Sequence, residues 1–93
     1  MKISRKDEYK SELQDILRFI ANDKISASKQ FKQELDKQIT NIPNFPYKHR
    51  KSIYFDDTNV RDMIFKGYTI NYEIDLDRNT IYLFSIFNTN KPD

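Results

Sequence analysis

Apolar residues recur at helical spacing in the first half of this chain and at every second position in much of the second half. Tyr9, Leu13, Ile16, Leu17 and Ile20 fall on one side of a helix, while Lys10, Glu12, Asp15 and Arg18 fall on the other. Residues three and four apart share a face at 3.6 residues per turn. Lys2–Ser4 reads as a short opening strand. Ser4 followed by Asp7 then resembles a helix start, with side-chain oxygens facing the free N–H groups of the first turn. The stripe carries that helix to about Ala21, and Asn22-Asp23-Lys24 is a polar break. Ser26 caps a second helix with a narrower stripe of Ala27, Phe31, Leu35, Ile39 and Ile42. It ends before Pro43, because proline disfavours helical geometry in the residue ahead of it. So short a connector makes the two helices an antiparallel hairpin.

Pro43 to Lys51 reads as an irregular crossing punctuated by Pro43 and Pro46. Beyond it the period changes. Ile53–Phe55 is predicted as a short strand, Asp56–Asn59 as a turn and Val60–Phe65 as a second strand. Lys66-Gly67 is a two-residue hairpin turn in which glycine supplies a positive φ. Tyr68, Ile70, Tyr72 and Ile74 alternate strictly with Thr69, Asn71, Glu73 and Asp75, so one face of that strand is buried and the other polar. Leu76–Thr80 turns the chain. Ile81–Phe87 is a nearly continuous apolar run, expected as a central strand covered on both faces, and Asn88–Asp93 is a polar tail.

These elements predict a two-layer α+β domain, with an N-terminal strand and an antiparallel helix hairpin packed on a twisted, mostly antiparallel sheet. The helices are expected on the face carrying Tyr68, Ile70, Tyr72 and Ile74. The other face of Ile81–Phe87 has no evident cover within the chain, and contiguous apolar surface of that kind marks a partner site.

Composition narrows the chemistry. Ninety-three residues make one domain, 1–93, since half such a chain cannot build a workable core. The 14% aromatic share argues against disorder. There is no cysteine, hence no disulfide, no thiol nucleophile and no cysteine zinc site. His49 is the only histidine, which excludes a His-rich metal centre, and neither cofactor nor metal is expected. Gly67 is the only glycine and serves a hairpin, so a phosphate-cradling loop is excluded. No apolar run approaches a membrane span. The first residues lack the apolar stretch of a secretory signal, so a cytoplasmic protein with no membrane partner is expected.

The formal net charge of +2 is unevenly distributed. Residues 1–52 carry twelve Lys and Arg against seven Asp and Glu, and residues 53–93 carry four against seven. A basic N-terminal half suits an acidic partner or a phosphate backbone, and equally an ordinary solvated helix surface. The densest cationic group is Lys48-His49-Arg50-Lys51, with Arg61 and Lys66 following and Tyr47 and Tyr54 at its flanks. Cations interleaved with aromatics can hold phosphates and stack a base, and histidine can transfer protons near neutrality. The carboxylate pairs Asp56-Asp57 and Asp75/Asp77 sit in predicted turns, where aspartate bonds its own backbone.

Residues 2–90 resemble the RelE/ParE superfamily of toxins from bacterial type II toxin–antitoxin modules. The resemblance rests chiefly on Asn59-Val-Arg-Asp-Met-Ile-Phe-Lys-Gly-Tyr-Thr-Ile-Asn-Tyr-Glu-Ile74 and the apolar strand Ile81–Phe87. The helix hairpin ending in Ile42-Pro43, with Pro46 close behind, is its N-terminal companion. The resemblance implies a small toxin silenced by a cognate antitoxin, an acidic protein partly disordered when free, which wraps it with a helix and an extended segment.

Two mechanisms occur in that superfamily. RelE-like members are ribosome-dependent mRNA endonucleases that place cations on neighbouring strands around the scissile phosphate. Where such enzymes carry an arginine after the hairpin tyrosine, this chain has Thr69. Their basic positions on the preceding strand fall on or near Asp62 and Ile64, and the one after the last strand is represented by Lys91. The Arg61-Asp62 opening of the strand looks more like the ParE branch, whose members inhibit DNA gyrase by binding. A nuclease alternative would draw on His49, Arg50, Lys51, Arg61 and Lys66. Partner contacts are expected at Arg61, Tyr82, Phe84, Ile86, Phe87, Asn88 and Lys91.

Overall fold

In the computed structural model, which describes residues 1–90, the chain runs β1 (Lys2–Arg5), α1 (Asp7–Asp23), α2 (Ile25–Asn41), a 3₁₀ turn (Ile42–Asn44), β2 (Arg50–Lys51), β3 (Val60–Phe65), β4 (Tyr68–Asp75) and β5 (Thr80–Asn88). The five strands form one sheet in the order β1-β5-β4-β3-β2. Neighbours are antiparallel except β1, which lies parallel to β5 with Lys2 opposite Thr80 and Arg5 opposite Leu83. Since β1 and β2 are opposite edges, the helix hairpin carries the chain across the whole sheet. This is the predicted two-layer α+β arrangement.

The predicted helical stripes meet the predicted strand face. Tyr9 and Leu13 of α1 and Phe31, Leu35 and Ile39 of α2 form one buried cluster with Ile42, Met63, Ile70, Tyr72, Ile74, Ile81, Leu83 and Ile86. Each such side chain contributes about 1.5–3 kcal/mol when withdrawn from water. Ser28 ties the hairpin together, its hydroxyl donating to the Leu17 carbonyl at 2.8 Å. At the β3–β4 turn both Lys66 (φ 48°) and Gly67 (φ 84°) adopt positive φ, the conformation of a tight hairpin whose twist matches its strands.

Four sequence expectations are corrected. First, the helices begin elsewhere. Ser4 is paired with Tyr82 inside β1, so α1 opens after Lys6, with Asp7 and Glu8 in its first turn complementing the helix dipole. That helix runs to Asp23, and Lys24 alone breaks the hairpin in an extended conformation. Second, Ile53–Phe55 is not a strand. The Ser52 N–H bonds the Val60 carbonyl at 2.9 Å, but the next amide, Ile53, turns to the Asp62 side chain at 3.2 Å. The pairing ends there and the strand is Arg50–Lys51.

Third, Thr69 and Asn71 are buried although they alternate with the core residues; the far face of β4 is polar yet covered at these two positions. Fourth, the chain covers part of the outer face of β5 itself. The Tyr54 and Phe55 rings meet Phe87 and Phe84 edge-on at 5.2 and 5.6 Å between centroids. A β-bulge underlies this. Ser85 pairs with Asn71 and Leu83 with Tyr72, leaving Phe84 as the extra residue. The bulge shifts the alternation, which returns Ile86 to the helix-covered core.

Candidate functional site

The basic segment is fixed by bonds to its own backbone. Pro43 lies in the first turn of the 3₁₀ segment that follows α2, and the amides of Phe45 and Lys48 bond the carbonyls of Ile42 and Phe45 at 3.2 and 3.0 Å. The hydroxyl of the buried Tyr72 donates to the Pro46 carbonyl at 2.6 Å, and burial pushes that phenol's pKa well above its usual value. Tyr47 donates to Asn59 Oδ1 at 2.7 Å. Arg61 then closes the segment. Its Nε donates to the Thr58 carbonyl at 3.0 Å, and one terminal nitrogen reaches the His49 and Tyr47 carbonyls at 3.2 and 3.4 Å. Its guanidinium lies 4.9 Å from the centre of the Tyr47 ring, within cation–π range.

The other cations have partners too. Arg50 bonds the buried Asp62 carboxylate at 3.3 Å, and Lys51 stands 3.9 Å from Asp56. Lys66, at the hairpin end of β3, pairs with Glu34 of α2. Lys48 has no carboxylate within ion-pair distance among the described residues. His49 packs edge-on against Tyr72 at 6.1 Å. Burial, and secondarily the charge of Lys48, holds its pKa below the usual value, so the imidazole is neutral at pH 7. His49, Arg50, Lys51 and Arg61 thus gather at the β2–β3 edge, where Lys51 lies directly opposite Arg61. Lys66 does not join them.

Among the proposed partner contacts, Ile86 lies in the core and Tyr82 is covered by the Lys6 ammonium, 4.5 Å from its ring centre. Phe84 and Phe87 are half-buried beneath Phe55 and Tyr54. Asn88 ends β5 and is exposed. Lys91 lies outside the described residues. The paired aspartates serve turns: Asp57 accepts from the Asn59 amide at 2.9 Å and Asp75 from the Arg78 amide at 3.0 Å. No group of three or more His, Asp and Glu side chains among the described residues is arranged to hold a metal ion.

One arrangement escaped the sequence reading. Arg50, Asp62, Asn71 and Ser85 occupy paired positions across β2, β3, β4 and β5. Their side chains form a continuous row, with Asn71 Nδ2 donating to Asp62 at 2.7 Å and Ser85 donating to Asn71 Oδ1 at 2.6 Å. The signal was present, since counting outward from the Lys66-Gly67 turn puts Asp62 opposite Asn71. Thr69, expected where RelE-like enzymes carry an arginine, is buried with its hydroxyl 2.7 Å from that of Thr89.

Solved structures with the same fold include a chromosomal ParDE toxin–antitoxin system from P. aeruginosa. Its matched chain superposes with a TM-score of 0.78 at 12% identity, covering 97% of each chain. The intact E. coli RelBE toxin–antitoxin complex gives 0.68 at 10% identity, covering 97% of this chain and 98% of that one. A mutant E. coli RelE bound to a peptide of the antitoxin RelB gives 0.64 at 10% identity over 91% and 79%. No curated protein matches the chain. A family model for the ParE toxin of the type II toxin–antitoxin system parDE matches residues 3–91. Because that match spans nearly the whole sequence, the chain belongs to the ParE toxin family of type II toxin–antitoxin systems.

Proposed function

We propose that this ParE-family toxin arrests growth by binding DNA gyrase and is neutralised by a cognate antitoxin. One observation carries the preference for binding over RNA cleavage. Of the five basic residues available to a nuclease, Arg50 is held by the buried Asp62 carboxylate and Arg61 is spent on backbone carbonyls, Lys66 pairs with Glu34 away from the rest, and Lys51 makes only a loose surface contact with Asp56. His49 stands beside them half-buried. Phosphoryl chemistry needs cations free to meet developing negative charge, and Asp62 in the midst of this set opposes a phosphate. The fold shared with toxins solved in antitoxin complexes supports an antitoxin partner.

The antitoxin's ground is the outer sheet face. Ile53, Tyr54, Phe55 and Ile64 are all exposed there, Ile53 by 69%, around the half-buried Phe84 and Phe87. Large exposed apolar groups in one region favour a protein partner. A gyrase target sets the cytoplasm as the working compartment. No helix among the described residues is long and apolar enough to cross a membrane.

The test is a paired assay of purified protein. Gyrase supercoiling should be blocked while ribosome-bound mRNA stays intact. Cleavage of mRNA in the ribosomal A site with supercoiling unaffected overturns the reading in favour of the nuclease.

A further inference from the structure

The turn that follows α2 presents a ring to water for which the fold has no use. Phe45 is 72% exposed, while Ile42 three residues earlier is 2% exposed. The backbone that carries it is nonetheless held firmly. Pro43 and Pro46 restrict the backbone on either side, the Phe45 amide and carbonyl are both hydrogen-bonded, and Tyr72 anchors Pro46 from the core. An exposed aromatic on a restrained backbone is a poor contribution to stability and a good stacking platform.

Its surroundings have a consistent chemistry. A hollow of about 270 Å³ beside the ring is lined by Gln38, Asn41, Ile42, Asn44, Lys48 and His49. A second, shallower one that also borders the ring is lined by Asn44, Pro46, Tyr47 and Lys48. Neither contains a carboxylate. The amides of Gln38, Asn41 and Asn44 offer donors and acceptors together, and the Asn44 to Asn41 bond of 3.3 Å leaves the Asn41 NH₂ and the Asn44 oxygen available. Lys48 is the cation of its run without an ion pair among the described residues. By contrast, the hollow beside α1 is lined by Glu12 and Asp15, which would repel a phosphate. The volume lies just under the usual small-molecule range of roughly 300 Å³ and above, which suits one flat base.

We propose that the Phe45–Lys48 turn and the amide-lined hollow beside it bind one unpaired nucleotide of a single-stranded nucleic acid. Phe45 stacks on the base, the Gln38, Asn41 and Asn44 amides bond its polar edge, and Lys48 holds a neighbouring phosphate. Stacking on an exposed ring combined with amide and cation contacts is how single strands are held. This site is independent of the toxin's principal target.

Fluorescence anisotropy with short labelled DNA and RNA oligonucleotides, across a salt series, tests it. Saturable binding is expected for single strands and not for duplex. Phe45→Ala should weaken it roughly 5- to 150-fold, the range of one lost base stack. Lys48→Gln should flatten the dependence of log affinity on log salt by about 0.7, one phosphate contact. Phe19→Ala removes a ring that is 70% exposed on α1 and should change nothing. Both phenylalanines are exposed, so an unchanged unfolding midpoint verifies that the variants are folded. Comparison of the DNA and RNA arms identifies the sugar, and binding of either supports the site. The absence of saturable binding, or equal binding by Phe45→Ala, overturns the proposal. So does a Phe45→Ala protein that loses gyrase or antitoxin binding while wild type ignores every oligonucleotide, which assigns the turn to a protein instead.

Discussion

Asp62 and Asn71, directly paired across β3 and β4, share a side-chain hydrogen bond of 2.7 Å in which the Asn71 amide donates to a buried carboxylate. The second Asp62 oxygen accepts from Arg50 at 3.3 Å and from the Ile53 amide at 3.2 Å. One side chain therefore fixes the narrow β2 edge and the start of the 52–56 segment. Asp62→Ala should cost roughly 1–3 kcal/mol, because the Asn71 amide and Ile53 N–H lose their acceptor while the half-exposed Arg50 re-solvates. Urea unfolding measures this, and an unchanged midpoint would contradict the account.

Arg61 links three carbonyls on two stretches of loop. Arg61→Lys places a point charge where a fork is needed. Amide exchange at Lys48 and Val60 should rise roughly tenfold, equivalent to about 1.4 kcal/mol of local opening. Exchange at Ile70 and Ile81 in the core should stay as in wild type. A uniform change across both regions would mean that Arg61 acts on global stability instead.

His49 gives a pH signature. Its pKa in the folded protein is depressed by burial and by Lys48, so the unfolded chain takes up the proton first. The contribution is complete above about 6.5, the ordinary histidine value, and is lost as pH falls through the folded value. Wild type should therefore lose urea resistance on acidification in that window. His49→Gln should lose less.

Glu12 shows the opposite sign. It accepts from the Ile86 amide at 3.1 Å where β5 has run past β1, and burial holds its pKa above the ordinary glutamate value. Its contribution is complete below the unfolded pKa and is lost as pH rises through the folded one. At pH 7 Glu12→Gln, which keeps an acceptor without the charge, should be at least as stable as wild type. Glu12→Ala should lose about 1 kcal/mol. Equal stability of the two variants would show that the bond to β5 is idle.

Much of the fold could be read from the chain because its signals are local. The stripes of Tyr9 and Leu13 and of Phe31 and Leu35 report which helix faces are buried. The hairpin at Lys66-Gly67 and the alternation from Tyr68 to Ile74 report a strand pair and its covered face. The β2 edge was misplaced because Ile53, Tyr54 and Phe55 have the composition of a strand, while what ends the pairing is a distant carboxylate. Ile86, expected as a partner contact, faces the core instead because a single-residue bulge reverses everything after it.

The candidate site divides along the same line. Residue types alone established that there is no thiol, one imidazole, one glycine and a cluster of cations at 48–51, since an absent side chain needs no coordinates to be excluded. Which cations remain free was decided by tertiary structure. Arg50 meets Asp62, Lys51 meets Asp56 and Lys66 meets Glu34, and the last of these pairs spans 32 positions of sequence. Periodicity records how a segment meets water, and it is carried by neighbours along the chain. Charge neutralisation and ring contacts such as Tyr54 on Phe87 depend on which segments the sheet brings together, and only the folded chain specifies that.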